Sequence, residues 1–543
     1  MVRCVIYEDE HLLAVNKPAG WNTHAPSPYA GEGIYDWLRN REERWARLAI
    51  IHRLDKETSG VMVFGKTPLA NRSLTEQFTQ RRVRKKYLLL TDREVPKKEF
   101  TVKSNLVRMG EKYASAKEKH AGGTPALQDG EVAETRFVPI VDAKFVVKNA
   151  GLKMMCAEPL TGRTHQIRVH AAENGFPILG DTLYGGTASS RVFLHATEIA
   201  FTHPATNAPM QLAAPATFDT EPRLALRTAV IEPDATNAFR LIHGASDGWP
   251  GWFVEKLGDF LLSQSEAILT GPQNEELARL VKIHPARGAY HKILSRQVRR
   301  STATEVSPQR VLGEAAPATF EVLENGVRYE MSFGEGYSVG LFLDQRDNRR
   351  RLLTGHIATD FSCPALRAPH SELLNVFAYT CGFSVCAAKA GARTTSLDLS
   401  KKYLEWGKRN FALNGLDPAA HDFIYGDAFD WLRRLAKKSR AFDVVVLDPP
   451  TFSQSKERGV FRVEKDFGAL ATAALTVLKP EGVLLASTNA ADWPPEKFVA
   501  SIEAAARGAK RKLTNFHYTP QPPDFPVSRA EPAYLKTAWM RVK

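Results

Sequence analysis

The chain has 543 residues, of which 43% are hydrophobic and 24% are charged. This composition is ordinary for globular protein and argues against a disordered chain or a coiled coil. At a prior of about 150 residues per domain, the length predicts two to four domains. No apolar run reaches the roughly 18 to 20 residues that span a bilayer. The N-terminal segment also lacks the apolar core of a signal peptide, so we expect a cytoplasmic protein without a membrane partner.

The distribution of charge leaves a polyanionic partner open. The net charge is +13, and the first 220 residues hold 30 basic and 24 acidic side chains, so both halves of the chain are basic. A basic balance permits nucleic-acid binding without proving it. The cysteines are scattered and form no C-x-x-C pair, so neither a metal site nor a disulfide framework is expected. They are Cys4, Cys156, Cys363, Cys381 and Cys386.

Three blocks follow one another along the chain. In residues 1–220, short β-rich runs alternate with Gly, Pro and Asp turn signals, which predicts an α+β domain with a mixed or mostly antiparallel sheet. Residues 225–332 show apolar alternation without catalytic spacing and predict a small α/β spacer or RNA-binding domain. In residues 333–543, apolar β-runs alternate with helix-like stretches, which predicts a doubly wound, Rossmann-like α/β sheet.

The first candidate site is the segment IHRLDKETSG at residues 51–60, where Asp55 lies between Arg53 and Lys56. Nearby cations favour the carboxylate form of an Asp, and such a group can act as a nucleophile or a base. Taken alone, the segment is explained as well by an ordinary surface Asp.

Two further segments concentrate cations. Residues 81–87, RRVRKKY, end on Tyr87 and indicate either a solvated charge run or a phosphate-contacting patch that leads into a base-stacking ring. Residues 161–170, TGRTHQIRVH, gather two arginines and two histidines, which a polar helix start would also explain.

These segments, with NKPAG at residues 16–20 and PILGD at 177–181, occur in the order typical of RluA-type pseudouridine synthases. Residues 3–217 resemble that family closely. The resemblance implies that Asp55 is the carboxylate that isomerises uridine to pseudouridine, without a cofactor. Whether Asp55 attacks covalently or removes a sugar proton stays open.

The same resemblance implies roles for the surrounding residues. Tyr87 would stack on the target base and assist proton loss from C5, and Arg168 would pair with Asp55. Arg53 would fill the gap left by the uridine, since a base must leave its stack to be reached. For His52, a structural and a functional role are both open.

The C-terminal block places polar residues at the ends of its predicted strands, namely Asn375, Asp398, Asp427 and Asp448. Open α/β sheets bind ligands at the carboxyl ends of their strands, although any single Asp there could be a turn or cap residue. The turn after Asn375 has one glycine, Gly382, instead of G-x-G-x-x-G. This disfavours a dinucleotide and favours a cofactor without phosphates, such as S-adenosylmethionine.

The matching stretches GLFLDQR, NVFAYT, YLEWGKRNFALNGL, GDAFDWL and DPPTFSQSK make residues 334–541 resemble class I RNA methyltransferases. More narrowly, they resemble a group that acts on 23S rRNA. Cys381 departs from that group, which commonly has Gly there. The resemblance implies an S-adenosylmethionine site formed by Asn375, Phe377, Tyr379, Gly382, Asp398, Asp427 and Asp448. It implies a methyl-acceptor site formed by Pro449, Pro450, Thr451 and Phe452.

Three acceptor atoms are open. Methylation at cytosine C5 needs a nucleophile, normally Cys, but the stretch where the related cytosine branch carries it reads ASTNA at residues 486–490. An exocyclic amine usually meets an aromatic directly after Pro-Pro, whereas Thr451 intervenes before Phe452. Guanine N7 has a free lone pair and needs only positioning. The resemblance favours N7 first, the exocyclic amine second and cytosine C5 third.

The sequence therefore predicts a bifunctional RNA-modifying enzyme, with large-subunit ribosomal RNA as the expected partner. One alternative is that one half is catalytically inactive and only binds RNA. Another is a small-molecule methyltransferase with an unrelated fused domain, which the positive charge of both halves disfavours.

Overall fold

The computed structural model describes residues 2–116, 130–140, 151–294, 307–335, 338–455 and 459–543. The chain divides into two units. Met1–His24, Gly33–Asp36 and Arg47–Val230 form the first, and Ala25–Glu32, Trp37–Ala46 and Ile231–Lys543 form the second. Among the described helices, none is both long and apolar enough to cross a membrane.

The first unit is built on one mixed sheet. Its strands are β1 (Val5–Glu8), β2 (Leu12–Lys17), β3 (Ala49–Ile50), β4 (Ser59–Gly65), β5 (Arg84–Thr91), β6 (Phe100–Met109), β7 (Lys112–Ser115), β8 (Glu131–Ile140), β9 (Lys153–Pro159), β10 (Leu194–Thr202) and β11 (Pro209–Ala213). The order across the sheet is β1-β2-β4-β10-β5-β9-β8-β6-β7, with β3 on β4 and β11 on β10. Of the described pairs, only β4 with β10 is parallel. The predicted α+β domain with a mixed sheet is confirmed.

Helices in this part of the chain are α1 (Ile34–Arg41), α2 (Pro68–Thr79), α3 (Gln166–Glu173) and α4 (Pro222–Val230). Helix α2 begins after Thr67, whose hydroxyl accepts the Ala70 N–H as an N-cap. It packs on β4 and β10, while α3 packs on β7, β8 and β9.

Strand β4 positions the loop that carries Asp55, because the loop leads directly into it. All seven residues of β4 are buried, as expected for a central strand. Gly60 has φ of 121°, and a Cβ there would lie 2.2 Å from the carbonyl oxygen of Ala196 in β10. Only glycine allows this close approach of the two parallel strands.

The second unit contains a small α/β sheet followed by two hairpins. The sheet has the order β12 (Ala238–His243), β13 (Trp252–Leu257), β14 (Phe260–Ser265), β15 (Gly288–Ile293) and β16 (Gln309–Gly313). Helix α5 (Gly271–Ile283) connects the parallel strands β14 and β15. The hairpins are β17 (Phe320–Glu324) with β18 (Val327–Met331), and β19 (His356–Ala358) with β20 (Phe361–Ser362). The small α/β fold is confirmed, and its boundaries as a separate domain stay a prediction.

A seven-stranded, doubly wound sheet completes the unit, as predicted. Its strands are β21 (Glu372–Val376), β22 (Arg393–Asp398), β23 (Asp422–Tyr425), β24 (Phe442–Leu447), β27 (Leu478–Thr488), β28 (Leu513–Thr519) and β29 (Lys536–Val542), in the order β23-β22-β21-β24-β27-β29-β28. Strands β25 (Phe452–Ser455) and β26 (Gly459–Arg462) form a hairpin. The first five strands of the sheet are parallel, and β29 is antiparallel to both of its neighbours, β27 and β28.

Helices cover both faces of this sheet. They are α6 (Arg346–Thr354), α7 (Gly382–Lys389), α8 (Lys401–Leu413), α9 (Ala428–Lys437), α10 (Val463–Leu475) and α11 (Pro495–Gly508). Apolar residues of α6, α7 and α8 belong to one buried cluster, and those of α9, α10 and α11 to another. The chain runs from β21 outward to β23 and then crosses to β24. The carboxyl ends of β21 and β24 therefore form the switch point at which such sheets bind ligands.

Candidate functional site

Asp55 lies beside two cationic or titratable side chains of the segment TGRTHQIRVH. Its Oδ2 is 3.7 Å from Nη1 of Arg168 and 4.0 Å from Nε2 of His165. The Asp55 side chain is 26% exposed, whereas that of Arg168 is only 4% exposed. The structure thus brings together two of the predicted catalytic residues and leaves the carboxylate accessible.

Asp181 holds Arg168 more tightly than Asp55 does. Nε and Nη2 of Arg168 donate to the two oxygens of Asp181 at 2.7 and 2.8 Å. Such a bidentate pair fixes the plane of a guanidinium, so Nη1 is left pointing toward Asp55 and toward Glu57, at 3.8 Å. Sequence reasoning assigned no role to Asp181, although it closes the motif PILGD.

Tyr184 completes the support of this site. Its ring lies under the guanidinium of Arg168, with 5.1 Å from Cζ to the ring centroid. Its hydroxyl is 2.8 Å from Nδ1 of His165 and accepts the N–H of Tyr113. Burial lowers the pKa of His165, against the opposing charge of Asp55. The imidazole next to Asp55 is therefore neutral near pH 7.

Tyr87 lies in the middle of β5, between Ala157 of β9 and Ala196 of β10. Burial raises its pKa, and the negative charge of Asp55 raises it further. A phenol in this state keeps its proton at neutral pH. Its hydroxyl is therefore poorly suited to remove the C5 proton, and the stacking of its ring on the target base stays a prediction.

His52 and Arg53 differ in their surroundings. His52 Nε2 accepts the Val63 N–H at 3.1 Å, and its ring stacks on Phe78. Burial lowers the pKa of His52 to about 3, so a structural role is favoured. Arg53 is exposed, and no ion pair to it is found in the described part of the chain.

Lys17 ties the motif NKPAG to the Asp55 loop. Its side chain is fully buried, and Nζ donates to the carbonyls of Pro18, Trp21 and Lys56 at 3.0, 2.7 and 3.2 Å. Burial lowers its pKa to about 7, although the charges of Glu57 and Asp55 act in the opposite direction. Sequence reasoning used this lysine as part of a motif only.

The basic segment at residues 81–86 is only partly solvated. Nζ of Lys85 donates to the Thr161 carbonyl at 3.2 Å, and burial lowers its pKa to about 8. Lys86 pairs with Glu198 at 3.1 Å. The exposed arginines of the segment are Arg81, Arg82 and Arg84, so a phosphate-contacting role is left mainly to them.

In the second unit, the turn from β21 to α7 is held in an unusual conformation. Phe377, Tyr379 and Cys381 have φ of 64°, 49° and 64°, the left-handed region that non-glycine residues rarely adopt. Such conformations cluster at ligand sites. Gly382 follows, where a Cβ would lie 3.2 Å from Leu341 Cδ1, so glycine lets the neighbouring segment approach the turn.

Cys381 stands where the resemblance would place Gly. Its side chain is fully buried, and a Cβ added to Gly407 of α8 would lie only 2.3 Å from its Sγ. Burial raises the pKa of its thiol to about 12. The cysteine therefore fills space against α8 and is not a reactive thiol.

Asp398 stands at the end of β22, beside this turn. Its Oδ2 accepts the Tyr379 N–H at 2.9 Å and its Oδ1 accepts the Ser400 N–H at 2.8 Å. Burial raises its pKa, while these backbone bonds act in the opposite direction. Each oxygen retains a lone pair, which suits the two hydroxyls of a ribose.

Asn375 and Asp427 make contacts that structural roles explain. Asn375 is fully buried in β21, and its Nδ2 donates to Ser384 Oγ in α7 at 3.0 Å. Its Oδ1 has no partner among the described residues. Oδ1 of Asp427 accepts the N–H groups of Phe429 and Asp430, which makes Asp427 the N-cap of α9.

Asp448 directly follows β24, and the negative charge of a second carboxyl group, that of Asp344, acts on it. Burial, followed by the charge of Asp344, raises its pKa to about 7, against the opposing effect of the nearby polar side chains of Ser487 and Gln345. Asp344 accepts the Tyr534 hydroxyl at 2.9 Å, and burial raises its pKa as well. Two neighbouring carboxyl groups oppose each other's ionisation. Sequence reasoning missed Asp344, which lies within GLFLDQR.

After Asp448, the acceptor motif continues past the carboxyl end of the central strand β24. Pro449 is buried, whereas Pro450 and Thr451 are exposed, and Phe452 is 41% exposed. Ser487 and Thr488, at the end of β27, are fully buried. The motif therefore presents its last three residues to solvent at the switch point of the sheet.

The chain resembles known proteins in both parts. Residues 239–541 match the family model of S-adenosylmethionine-dependent methyltransferases, and residues 11–173 match that of RNA pseudouridylate synthases. A ribosomal RNA large subunit methyltransferase of Deinococcus radiodurans is 30% identical over 332 residues, which cover 59% of this chain and 77% of the relative. Ribosomal RNA large subunit methyltransferase I of Klebsiella pneumoniae is 32% identical, covering 58% and 76%. Among solved structures, human RNA Pseudouridylate Synthase Domain Containing 4 is 25% identical, covering 40% of this chain and 90% of that chain, with a TM-score of 0.32.

Proposed function

We propose that this protein modifies one RNA in two ways. The chain belongs to the S-adenosylmethionine-dependent methyltransferase family and also contains an RNA pseudouridylate synthase domain. The first unit isomerises uridine to pseudouridine, and the second transfers a methyl group to a base. The RNA is large-subunit ribosomal RNA, in line with the names of its relatives. We further propose three domains, at residues 1–220, 225–332 and 333–543.

The accessible carboxylate of Asp55 beside the locked Arg168 carries the proposal for the first unit. Arg168 is fixed by Asp181 and lies 3.7 Å from Asp55, so it orients the carboxylate. The neutral Tyr87 ring supplies an apolar face for the base. Exposed Arg53 is available to occupy the space that a flipped uridine leaves in the RNA.

For the second unit, the turn after β21 and the carboxylate of Asp398 carry the proposal. Phe377, Tyr379 and Gly382 shape the methionine end of the site, with Asn375 behind them, and Asp398 holds the ribose. Asp427 lies toward the adenine. S-adenosylmethionine, when bound, supplies the electrophilic methyl group. Pro449, Pro450, Thr451 and Phe452 then face the base, next to Asp448.

We favour guanine N7 as the acceptor atom. A cytosine C5 mechanism needs a reactive thiolate, but burial raises the pKa of Cys363 to about 11 and that of Cys381 and Cys386 to about 12. Methylation of N7 leaves a positive charge on the base. The carboxyl groups of Asp344 and Asp448 beside the acceptor motif would stabilise that charge. An exocyclic amine is the second choice.

The test is mass spectrometry of nucleosides in ribosomal RNA from cells that lack the protein and are complemented with variants. We expect Asp55→Ala to lose pseudouridine at one position and keep the methyl group, and Asp398→Ala to do the reverse. Unchanged pseudouridine with Asp55→Ala would show that the first unit only binds RNA. Loss of 5-methylcytidine or of an N2-methylated guanosine, instead of 7-methylguanosine, would overturn the choice of acceptor atom.

A further inference from the structure

The segment at residues 340–345 connects the two predicted subsites of the second unit. At one end, the Gly340 N–H donates to the Tyr379 hydroxyl at 3.0 Å and the Gly340 carbonyl accepts the Thr380 hydroxyl at 2.6 Å. At the other end, Gln345 Nε2 donates to Ser487 Oγ at 2.8 Å, next to Asp448. The segment therefore runs from the turn of the cofactor site to the acceptor motif.

Phe342 is the one side chain of this segment with a large apolar surface in solvent. It is 53% exposed, while its neighbours Leu341 and Leu343 are 6% and 2% exposed. Its ring centroid lies 5.1 Å from that of Tyr379, with an angle of 42° between the planes. One face of the ring is thus backed by the cofactor turn, and the remaining surface is open.

The backbone at Phe342 is held rigidly, so the exposure of the ring belongs to a fixed structure. The Phe342 carbonyl accepts Nη2 of Arg349 at 2.8 Å. Arg349 is itself buried and bound by both oxygens of Glu324, at 2.6 and 2.8 Å. A backbone position held by a buried ion pair in this manner is preorganised to present its side chain to a ligand.

We propose that Phe342 is the surface on which the target base of the methyl transfer stacks after it leaves the RNA helix. This inference rests on the proposed function of the second unit. The ring packs against Tyr379 of the turn that would hold the methyl donor, in the segment that continues to Asp344 and to Gln345. A base whose accepting atom faces the methyl group there would lie against it. Aromatic rings bind bases of any identity through their faces, so Phe342 supplies affinity and orientation, and the carboxyl groups supply the choice of base.

The test compares Phe342→Ala, Phe342→Leu and Phe342→Trp in the full-length protein, with Phe516→Ala as the matched control. Phe516 is 46% exposed and lies on β28, the edge strand of the same sheet. We measure KM and kcat for methyl transfer to ribosomal RNA, and the Kd of S-adenosylmethionine without RNA. Phe342→Ala should raise the KM for RNA about 10- to 100-fold. Phe342→Leu should do nearly the same, and Phe342→Trp and Phe516→Ala should stay near wild type.

Three results would overturn the inference. An unchanged KM for RNA in Phe342→Ala would show that the base does not use the ring. Equal losses of RNA and S-adenosylmethionine binding would make Phe342 part of the cofactor pocket. Wild-type behaviour of Phe342→Leu would reduce its role to apolar packing. If the wild-type protein transfers no methyl group to RNA, the proposed function itself fails, and this is seen before any variant is compared.

Discussion

Arg168 binds Asp181 with two hydrogen bonds, of 2.7 and 2.8 Å, and this pairing leaves its third nitrogen for the partly exposed carboxylate of Asp55. The contact between Arg168 and Asp55 depends on a buried residue that need not touch the substrate. Asp181 is therefore a positioning residue, and its removal should disturb both stability and the geometry around Asp55.

We expect Asp181→Asn to lower the free energy of unfolding of the first unit by about 3 kcal/mol, because it leaves a buried guanidinium without its main partner. Pseudouridine formation should fall about 10-fold or more as Arg168 moves. Urea denaturation and a kinetic assay on RNA measure the two effects. Glu76→Gln is the control, since its pair with Arg82 is more than half exposed and should matter little. Wild-type kinetics in Asp181→Asn would contradict the positioning role.

Lys17 should make the stability of the first unit depend on pH. Its pKa is about 7 in the folded chain and 10.5 ordinarily. Between these values the unfolded chain binds the proton that the folded chain releases, so stability rises with pH. Lys17→Met removes this dependence and also leaves three carbonyls without their donor. We expect the variant to be less stable, with a deficit that grows from pH 7 toward pH 10. A deficit independent of pH would show that the buried amine keeps its ordinary pKa.

The rate of methyl transfer should titrate near neutral pH. Because the pKa of Asp448 is raised to about 7, and its ionised form would best stabilise a methylated, cationic base, kcat/KM should rise with pH through that value. Asp344→Asn removes one of the causes of the shift, so the inflection should move to lower pH. A pH–rate profile of both proteins tests this, with Asp443→Asn as a control on the same sheet, where Asp443 pairs with Lys479. An inflection that stays in place would exclude coupling between the two carboxyl groups.

Thiol reagents should not inactivate the methyltransferase. Cys363, Cys381 and Cys386 are at most 2% exposed, and burial raises the pKa of each, so they should react slowly with iodoacetamide. We treat the native protein with a concentration of iodoacetamide that alkylates all five cysteines of the denatured protein. We expect methyl transfer to persist after this treatment. Rapid inactivation, with protection by S-adenosylmethionine and RNA, would instead support a catalytic thiolate and cytosine C5.

The sequence predicted those features that depend on residues close together in the chain or on the order of motifs. Apolar runs such as residues 442–447 predicted buried parallel strands, and Asp398 and Asp448 fall at strand ends as the alternation required. Motif order likewise pointed to Asp55 and Arg168, whose side chains the structure places at ion-pair distance. Periodicity and spacing express these features directly, because each depends on residues within one or two elements.

Features that depend on distant pairs were not predictable in this way. Asp181 and Asp344 were noted only as members of motifs. Local spacing does not show that Asp181 binds Arg168 or that the charge of Asp344 raises the pKa of Asp448. Lys17 was noted only as part of a motif, and Lys85 as part of a segment that would be either a solvated charge run or a phosphate-contacting patch. Both are largely buried instead, because burial is decided by packing of whole strands. The N-cap geometry of Asp427 likewise became clear only with the start of α9.

The contact between Cys381 and Gly407 couples the residue types that these two positions can accept. The turn lacks the glycine that its left-handed backbone would favour, and α8 instead has a glycine in its interior, where helices normally avoid one. A chain with Gly at 381 would leave a void that Ala at 407 could fill, whereas Ala at 407 alone would collide with Sγ, 2.3 Å away. The two positions are therefore coupled, and an alanine is tolerated at position 407 only when Cys381 is replaced by a smaller residue as well.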